Sequence, residues 1–383
     1  MKETLPGPLR EIVEEVRHFK PEPSNLDALR PAWQAHVAQA TRQIPGVHVE
    51  AEGEALYLGD LSPGCRACKQ GTWDCIFTTM RCNLDCEFCF SPHATARDAW
   101  RAGSVLGATP EQIAENHAKT TITGVSFSGG EPLMDAPALF DWVAWFTSRF
   151  PDKYYWVYTN GLLAHEENLR RLADLDIDEI RFNLAATGYD HPAVLANLEA
   201  AVRLIPNVTV EIPAIPEHAA KLLSCLGEWA SRGVRFLNLH ELLFEPGTNS
   251  ATLPGARQGI VTADGHCSAI HPASRSLTLA VMRRVRDQGL SLSVNDCSLQ
   301  SKLHQLRGRR QCLAPLTKTP HERLVGEAVE SCAAYLGDDF FLFSCDSLSE
   351  VRRHCPDHHL VRLVRMAPLS LQERARWIAV EPV

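Results

Sequence analysis

Three cysteines set the first chemistry this chain could do. Cys82, Cys86 and Cys89 form a C-x3-C-x2-C run within TTMRCNLDCEFCF. Thiolates spaced this closely on one loop can bind three corners of a 4Fe–4S cube, which normally takes four cysteine ligands. Three in step, with no fourth, leave one iron open to another ligand. The competing reading is zinc, whose ligands come more often as paired CxxC or Cys/His sets. Farther on, GVSFSGGEPLM contains Gly129-Gly130-Glu131-Pro132. Glycines at a strand tip let backbone approach a ligand closely, and Glu131 beside them offers an acceptor for a ligand amine. Taken alone, that tetrapeptide is an ordinary strand–helix turn.

A second group lies just upstream. Cys65, Cys68 and Cys75 give C-x2-C-x6-C. The first pair is a good metal half-site, because both thiolates can point into one tetrahedron. It suggests a second metal, iron or zinc; the bland alternative is a reduced pair near a turn. Cys297 is the best candidate for a distant fourth ligand, ahead of Cys312 and Cys267. The chain carries 13 cysteines, an odd and clustered set that reads as metal ligation in a reducing compartment, not as a disulfide framework. The N-terminal MKETLPGPLR lacks the apolar stretch of a signal peptide, so the expected location is cytoplasmic. Lys and Arg number 38 against 46 Asp and Glu, a net charge of −8. An acidic balance disfavours a nucleic-acid partner, which calls for a basic face. No apolar run approaches the ~20 residues of a membrane span, so no membrane partner is expected.

The elements that must position these residues follow from periodicity. Residues 1–64 read as an N-terminal extension, with helices over 8–19 and 25–43 and a β-hairpin from Val47 to Leu58. Strands are expected at Cys75–Thr79, Gly124–Ser128, Tyr154–Thr159, Glu179–Leu184, Val208–Ile212 and Phe236–Leu239, each followed by a helical stretch. Thr109-Pro110-Glu111-Gln112 starts one such helix with an N-cap, a proline at N1 and a glutamine at N3. Successive βα units imply a parallel sheet. The fold class is therefore α/β, a partial (β/α)6 barrel over 65–311, with LSLSV at 290–294 as a candidate seventh strand. Residues 312–383 change character and suggest a small α+β domain, with FFLFS (340–344) as a strand. In such barrels functional residues sit at the C-terminal ends of strands. The cysteines after strand one and GGEP after strand two therefore share one mouth. Asn238, His240 and Glu241, ending strand six in FLNLHELLF, are candidates for substrate contact or proton transfer there; the alternative is a polar cluster that holds the loop. Cys332 and Cys345 in the tail read as buried structural thiols.

The cysteine run and GGEP together resemble the radical S-adenosylmethionine (SAM) enzymes, over roughly 73–300. The resemblance implies that the open iron of a Cys82/Cys86/Cys89 cluster is chelated by SAM. It implies reductive cleavage to a 5′-deoxyadenosyl radical that takes hydrogen from a substrate, and an electron donor of the flavodoxin or ferredoxin type. By position it assigns Glu131, with the backbone of Gly129 and Gly130 ahead of Pro132, to the methionine amine. Phe88 would lie against adenine, Asn160 at the ribose, and Asn183 at the ribose or carboxylate. Glu211 and Ile215-Pro216 would line the adenine side. PGCRAC ahead of the cluster motif is similar to proteins related to pyruvate formate-lyase activating enzyme. More distantly it is similar to the methanogenesis-marker peptidyl-arginine C-methyltransferases, in which a further cysteine-bound metal lies near the barrel and cobalamin carries the methyl group. Cobalamin is thus a candidate cofactor, but no separate B12 domain is visible, and Asp264-Gly265-His266-Cys267-Ser268-Ala269 falls short of the D-x-H-x-x-G pattern. The expected function is modification of an unactivated C–H position on a peptide, amino acid or related metabolite. The alternatives are activation of a glycyl-radical enzyme, for which the chain is long, and a non-catalytic iron or zinc module, which has no use for GGEP.

Overall fold

The computed structural model describes all residues except 1–4, 20–22, 91–100, 103, 104, 107, 252, 372, 374 and 375. Seven parallel strands form its centre: β1 (Trp73–Thr79), β2 (Gly124–Gly129), β3 (Tyr154–Thr159), β4 (Glu179–Phe182), β5 (Asn207–Ala214), β6 (Phe236–Glu241) and β7 (Ser293–Cys297). They lie side by side in chain order, each parallel to the next. The arrangement is the expected α/β partial barrel, and the seventh strand is present, three residues later than LSLSV suggested.

Alternation along each strand sorts the side chains. One set is apolar and buried: Val125 and Phe127, Val157, Ile180 and Phe182, Val208, Val210 and Ile212, Leu237 and Leu239, and Val294. It packs against the surrounding helices through residues such as Leu139, Val143, Phe146, Leu172, Leu198, Leu226 and Met282, giving one continuous core. The other set faces the barrel interior and is polar, including Ser126, Tyr158, Arg181, Thr209, Glu211, Asn238 and Asn295. Helix α1 (Pro63–Lys69) closes the floor of this interior. A Cβ on Gly64 would lie 2.4 Å from Arg181 Nη2, and one on Gly124 would lie 2.9 Å from the Ala67 methyl. The helix therefore seats only because both positions are glycine.

The flanks do useful work on the edges. The hairpin Val47–Glu50/Ala55–Leu58 pairs antiparallel with β7, which covers an edge that would otherwise be open. The helix Gly7–Phe19 lies elsewhere: Leu9, fully buried, packs on Ala333, Tyr335, Val361 and Leu363. These belong to a C-terminal antiparallel sheet of Arg323–Val325, Ala328–Leu336, Asp339–Phe343, His359–Met366 and Arg376–Pro382. Helix α2 (Leu299–Thr317) runs straight through residue 312. A three-stranded sheet (Leu243–Phe244, Gln258–Val261, Cys267–Ile270) stands beside the barrel mouth. Among the described residues no helix is long and apolar enough to cross a membrane.

Candidate cluster and cofactor site

The loop bearing Cys82, Cys86 and Cys89 leaves β1 and is clasped from three sides. From β2, Gly130 N–H donates to the Thr79 carbonyl at 2.9 Å and Glu131 N–H to the Arg81 carbonyl at 2.8 Å. Gly129 has φ +129, and a Cβ there would lie 1.9 Å from the Thr79 oxygen; one on Gly130 would lie 2.1 Å from the Arg81 oxygen. The glycines are thus needed for a close approach, and the backbone they approach is that of the cluster loop itself. From β3, Asn160 Nδ2 donates to Asn83 Oδ1 at 2.6 Å. From the side of β5 and β6, Phe88 packs on Ile215, Leu242, Phe244 and Leu253. Its carbonyl accepts from Asn249 Nδ2 at 3.0 Å, and His218 stands 3.6 Å from Glu87.

Within the loop, Cys89 N–H donates to the Cys86 carbonyl at 3.0 Å, a tight turn. All three thiols are half-buried. Burial, with Cys89 and Cys82 adding to it, pushes the Cys86 thiol up to about 12, and burial raises Cys82 as well. A ligand set in this setting must shed its protons when metal binds. Among the described residues no three His, Cys, Asp or Glu side chains converge tightly enough for a single ion. A cube is less demanding, because each cysteine holds a different iron. Three half-buried thiols on one braced turn fit such a group.

Glu131 is fully buried. Its carboxylate accepts from Asn160 N–H at 2.6 Å, Thr159 Oγ1 at 2.9 Å and Leu133 N–H at 3.2 Å. Burial pushes this carboxyl up to about 7, against the pull of those donors. In this structure, then, Glu131 joins the ends of β2 and β3, and Asn160 joins them to the cluster loop. Pro132 is buried behind them. Asn183, ending β4, is different: its Oδ1 is buried without a hydrogen-bond partner among the described residues. Such an acceptor at a strand tip suits a polar ligand.

Below the mouth runs a chain of buried charge. Arg181 is 1% exposed. It donates through Nε to Glu179 at 2.8 Å, through Nη1 to Glu211 at 2.6 Å and through Nη2 to Ser62 at 3.3 Å. Its guanidinium also lies over Trp156 and Tyr158. Glu211 Oε1 is 2.6 Å from His240 Nε2. Burial alone would raise Glu211, but Arg181 and His240 hold it well below the usual carboxylate range. Burial, then the Lys302 charge, lower His240 despite Glu211. A neutral imidazole facing a carboxylate through Nε2 donates there and leaves Nδ1 as its basic nitrogen. The His240 side chain is 26% exposed, so it ends the chain at the mouth. Asn295 Nδ2 donates to Asn238 Oδ1 at 2.6 Å, and Asn295 Oδ1 is buried without a partner among the described residues.

Residues 63–180 match the profile of a family described as a 4Fe-4S single cluster domain. That span contains all six clustered cysteines and GGEP. A protein of Methanocaldococcus jannaschii, provisionally named a glycyl-radical enzyme activating enzyme, is 29% identical over 270 residues, covering 68% of this chain and 70% of that protein. On these matches the chain is similar to a 4Fe-4S cluster domain and to an activating enzyme of glycyl-radical enzymes. The anaerobic ribonucleoside-triphosphate reductase-activating protein of Enterobacteria phage T4 is 28% identical over 120 residues, 30% of this chain and 69% of that one. Among solved structures, SuiB of Streptococcus suis bound to S-adenosylmethionine aligns with TM-score 0.42 and 13% identity. It covers 57% of this chain and 49% of SuiB, so the likeness spans about half the length of that structure.

Within this chain the residues singled out from sequence fall into groups. Cys82, Cys86, Phe88, Cys89, Gly129, Gly130, Glu131, Asn160 and Ile215 meet at one mouth. Asn238, His240 and Glu211 face the chamber beneath it. Glu241 does not join them: it lies on the opposite face of β6, and its carboxylate accepts from Leu299 N–H at 2.8 Å, capping α2. That contact corrects its assignment to substrate chemistry. Cys65, Cys68, Cys75 and Cys297 come from α1, β1 and β7; all four feel the Glu211 charge, and the first three also that of Arg181. Burial pushes Cys65 up to about 11 and Cys75 up to about 12. They do not gather around one ion position in this structure. Cys312 lies on α2, and Cys267 is exposed in the side sheet. Asn83, Arg181, Asn249 and Asn295 escaped the sequence reading. Only Arg181 left a signal there, as a charge on the same side of EIRF as Glu179.

Proposed function

We propose that the chain is a radical SAM enzyme that abstracts hydrogen from an unactivated C–H position of a peptide, amino acid or related metabolite. The observation that carries this reading is the clasp: the cysteine loop is held by the tips of β2 and β3 beside an apolar patch of Phe88 and Ile215. Cys82, Cys86 and Cys89 would hold the cluster. The backbone at Gly129–Glu131 would meet the methionine end of SAM, Asn183 Oδ1 its polar middle, and Phe88 with Ile215 its adenine. When bound, cluster and SAM supply the electron and the 5′-deoxyadenosyl radical that takes the substrate hydrogen. The chain's own residues orient these groups and keep water from them. His240, held neutral with Nδ1 free to accept, would take or return a substrate proton. A flavodoxin- or ferredoxin-type protein would deliver the electron.

The test is anaerobic reconstitution with iron and sulfide, followed by dithionite and SAM. Wild type is expected to release 5′-deoxyadenosine, and Cys86→Ala is expected to release none. Equal, negligible yields from both would overturn the reading. A second reading, activation of a glycyl-radical enzyme, is favoured by the two relatives whose names describe activating proteins. It predicts a glycyl-radical electron paramagnetic resonance signal on a partner protein, with no change to a small substrate.

A further inference from the structure

The C-terminal sheet brings together two thiols that the site above does not use. Cys332 is buried in the strand Ala328–Leu336, opposite Phe343 of the antiparallel strand Asp339–Phe343. Beyond Phe343 the chain turns at Ser344, whose Oγ accepts from Asp346 N–H at 3.3 Å. That turn opens the short helix Cys345–Ser347 and carries Cys345 back over Cys332. The two sulfurs are 2.8 Å apart. Around them lie Phe343, Phe341, Leu348, Val351 and Leu360, an apolar wall that confines the pair to each other.

The two thiols are not equivalent. Cys345 is half-buried, whereas Cys332 is 1% exposed. Arg323 bonds Asp346 at 3.0 Å and Glu330 at 3.2 Å, and Arg362 stands 3.5 Å from Glu330. Both guanidinium groups interact electrostatically with Cys345. Partial exposure of Cys345 lets an oxidant in solution reach it before the buried Cys332. Burial, and then Cys345 itself, push the Cys332 thiol up to about 12, which suits the partner that reacts second.

We propose that Cys332 and Cys345 form a redox-active dithiol whose oxidant is a low-molecular-weight disulfide such as oxidised glutathione. The Cys345 thiolate attacks one sulfur of the oxidant, the oxidant's S–S bond breaks, and one small thiolate leaves. Cys332 gives its proton to solvent and attacks the Cys345 sulfur, and the second small thiolate leaves. Two electrons pass from the dithiol to the oxidant and two protons pass to water or to the released thiolates. The product bond pins the turn at Ser344 to the central strand of the sheet. This inference does not rest on the proposed reaction.

The test uses the full chain, prepared anaerobically, treated with oxidised glutathione, quenched with N-ethylmaleimide and mapped by peptide mass spectrometry. The expected product is a Cys332–Cys345 cross-linked peptide, lighter than the dithiol by two hydrogens and reopened by dithiothreitol. Cys332→Ser is expected to leave glutathione on Cys345, and Cys345→Ser to leave Cys332 unmodified. Recovery of both residues as maleimide adducts while the exposed Cys267 carries glutathione would overturn the proposal. So would cross-linking of Cys345 to a different cysteine.

Discussion

Glu131 shows how one buried side chain can link stability to the site. Its carboxyl ionises near 7 in the fold, against an ordinary value of 4.5. Between those values the folded chain holds a proton that the unfolded chain has lost. Folding stability therefore falls as pH rises from about 4.5 through about 7, by roughly 3 kcal/mol over the window. Urea unfolding at about pH 5 and about pH 7.5 is expected to show that fall in wild type and to show it reduced by most of that amount in Glu131→Gln. His240 makes a different prediction. In the proposed function its Nδ1 serves the substrate and not the cluster, so His240→Ala is expected to lower substrate turnover roughly a hundredfold. Release of 5′-deoxyadenosine should continue. Parallel loss of both, with iron content unchanged, would show that His240 serves SAM cleavage instead.

At the scale of elements, what counts is how closely strand ends approach. The cluster loop is seated by backbone hydrogen bonds to β2 that no side chain at Gly130 would permit, since a Cβ there meets the Arg81 carbonyl at 2.1 Å. The neighbour is backbone and cannot swing aside. Gly130→Ala is expected to displace the loop and lose most of the reconstituted iron and sulfide, measured by colorimetric assay, while circular dichroism stays near wild type. Full metal content in that variant would mean the loop re-seats freely. The motif was legible in the sequence as glycines at a strand tip. That they serve the chain's own backbone was not, because a local pattern does not say which neighbour comes close. Glu241 failed for a related reason. It stands next to His240 in sequence, and period-two alternation sends it to the other face, where it caps α2.

Over the whole molecule, the helix Gly7–Phe19 meets the C-terminal sheet. The helix Gly7–Phe19 buries Leu9 against Ala333, Tyr335, Val361 and Leu363, and Trp377 N–H donates to Glu15 at 3.1 Å. This helix thus covers one face of the sheet built from residues 323–382. Leu9→Ala is expected to cost about 3 kcal/mol of that sheet's stability, seen as earlier urea unfolding and faster proteolysis between 323 and 383. An unchanged profile would show that the helix rests there without holding anything.

The sequence by itself determined the parallel α/β arc, its cysteine run and the shared mouth of Cys82–Cys89 and GGEP. Each depends on signals that are local: apolar period, cap chemistry, and the rule that βα units run the same way. The tertiary structure alone decided that Glu131 and Asn160 bind the strand tips to one another, and that Arg181 carries Glu211 and His240 in one buried chain. It alone docked the first helix on the last sheet and set Cys345 against Cys332. Those contacts join residues far apart in the chain, so they depend on strand register and on packing between elements, which no window of sequence contains.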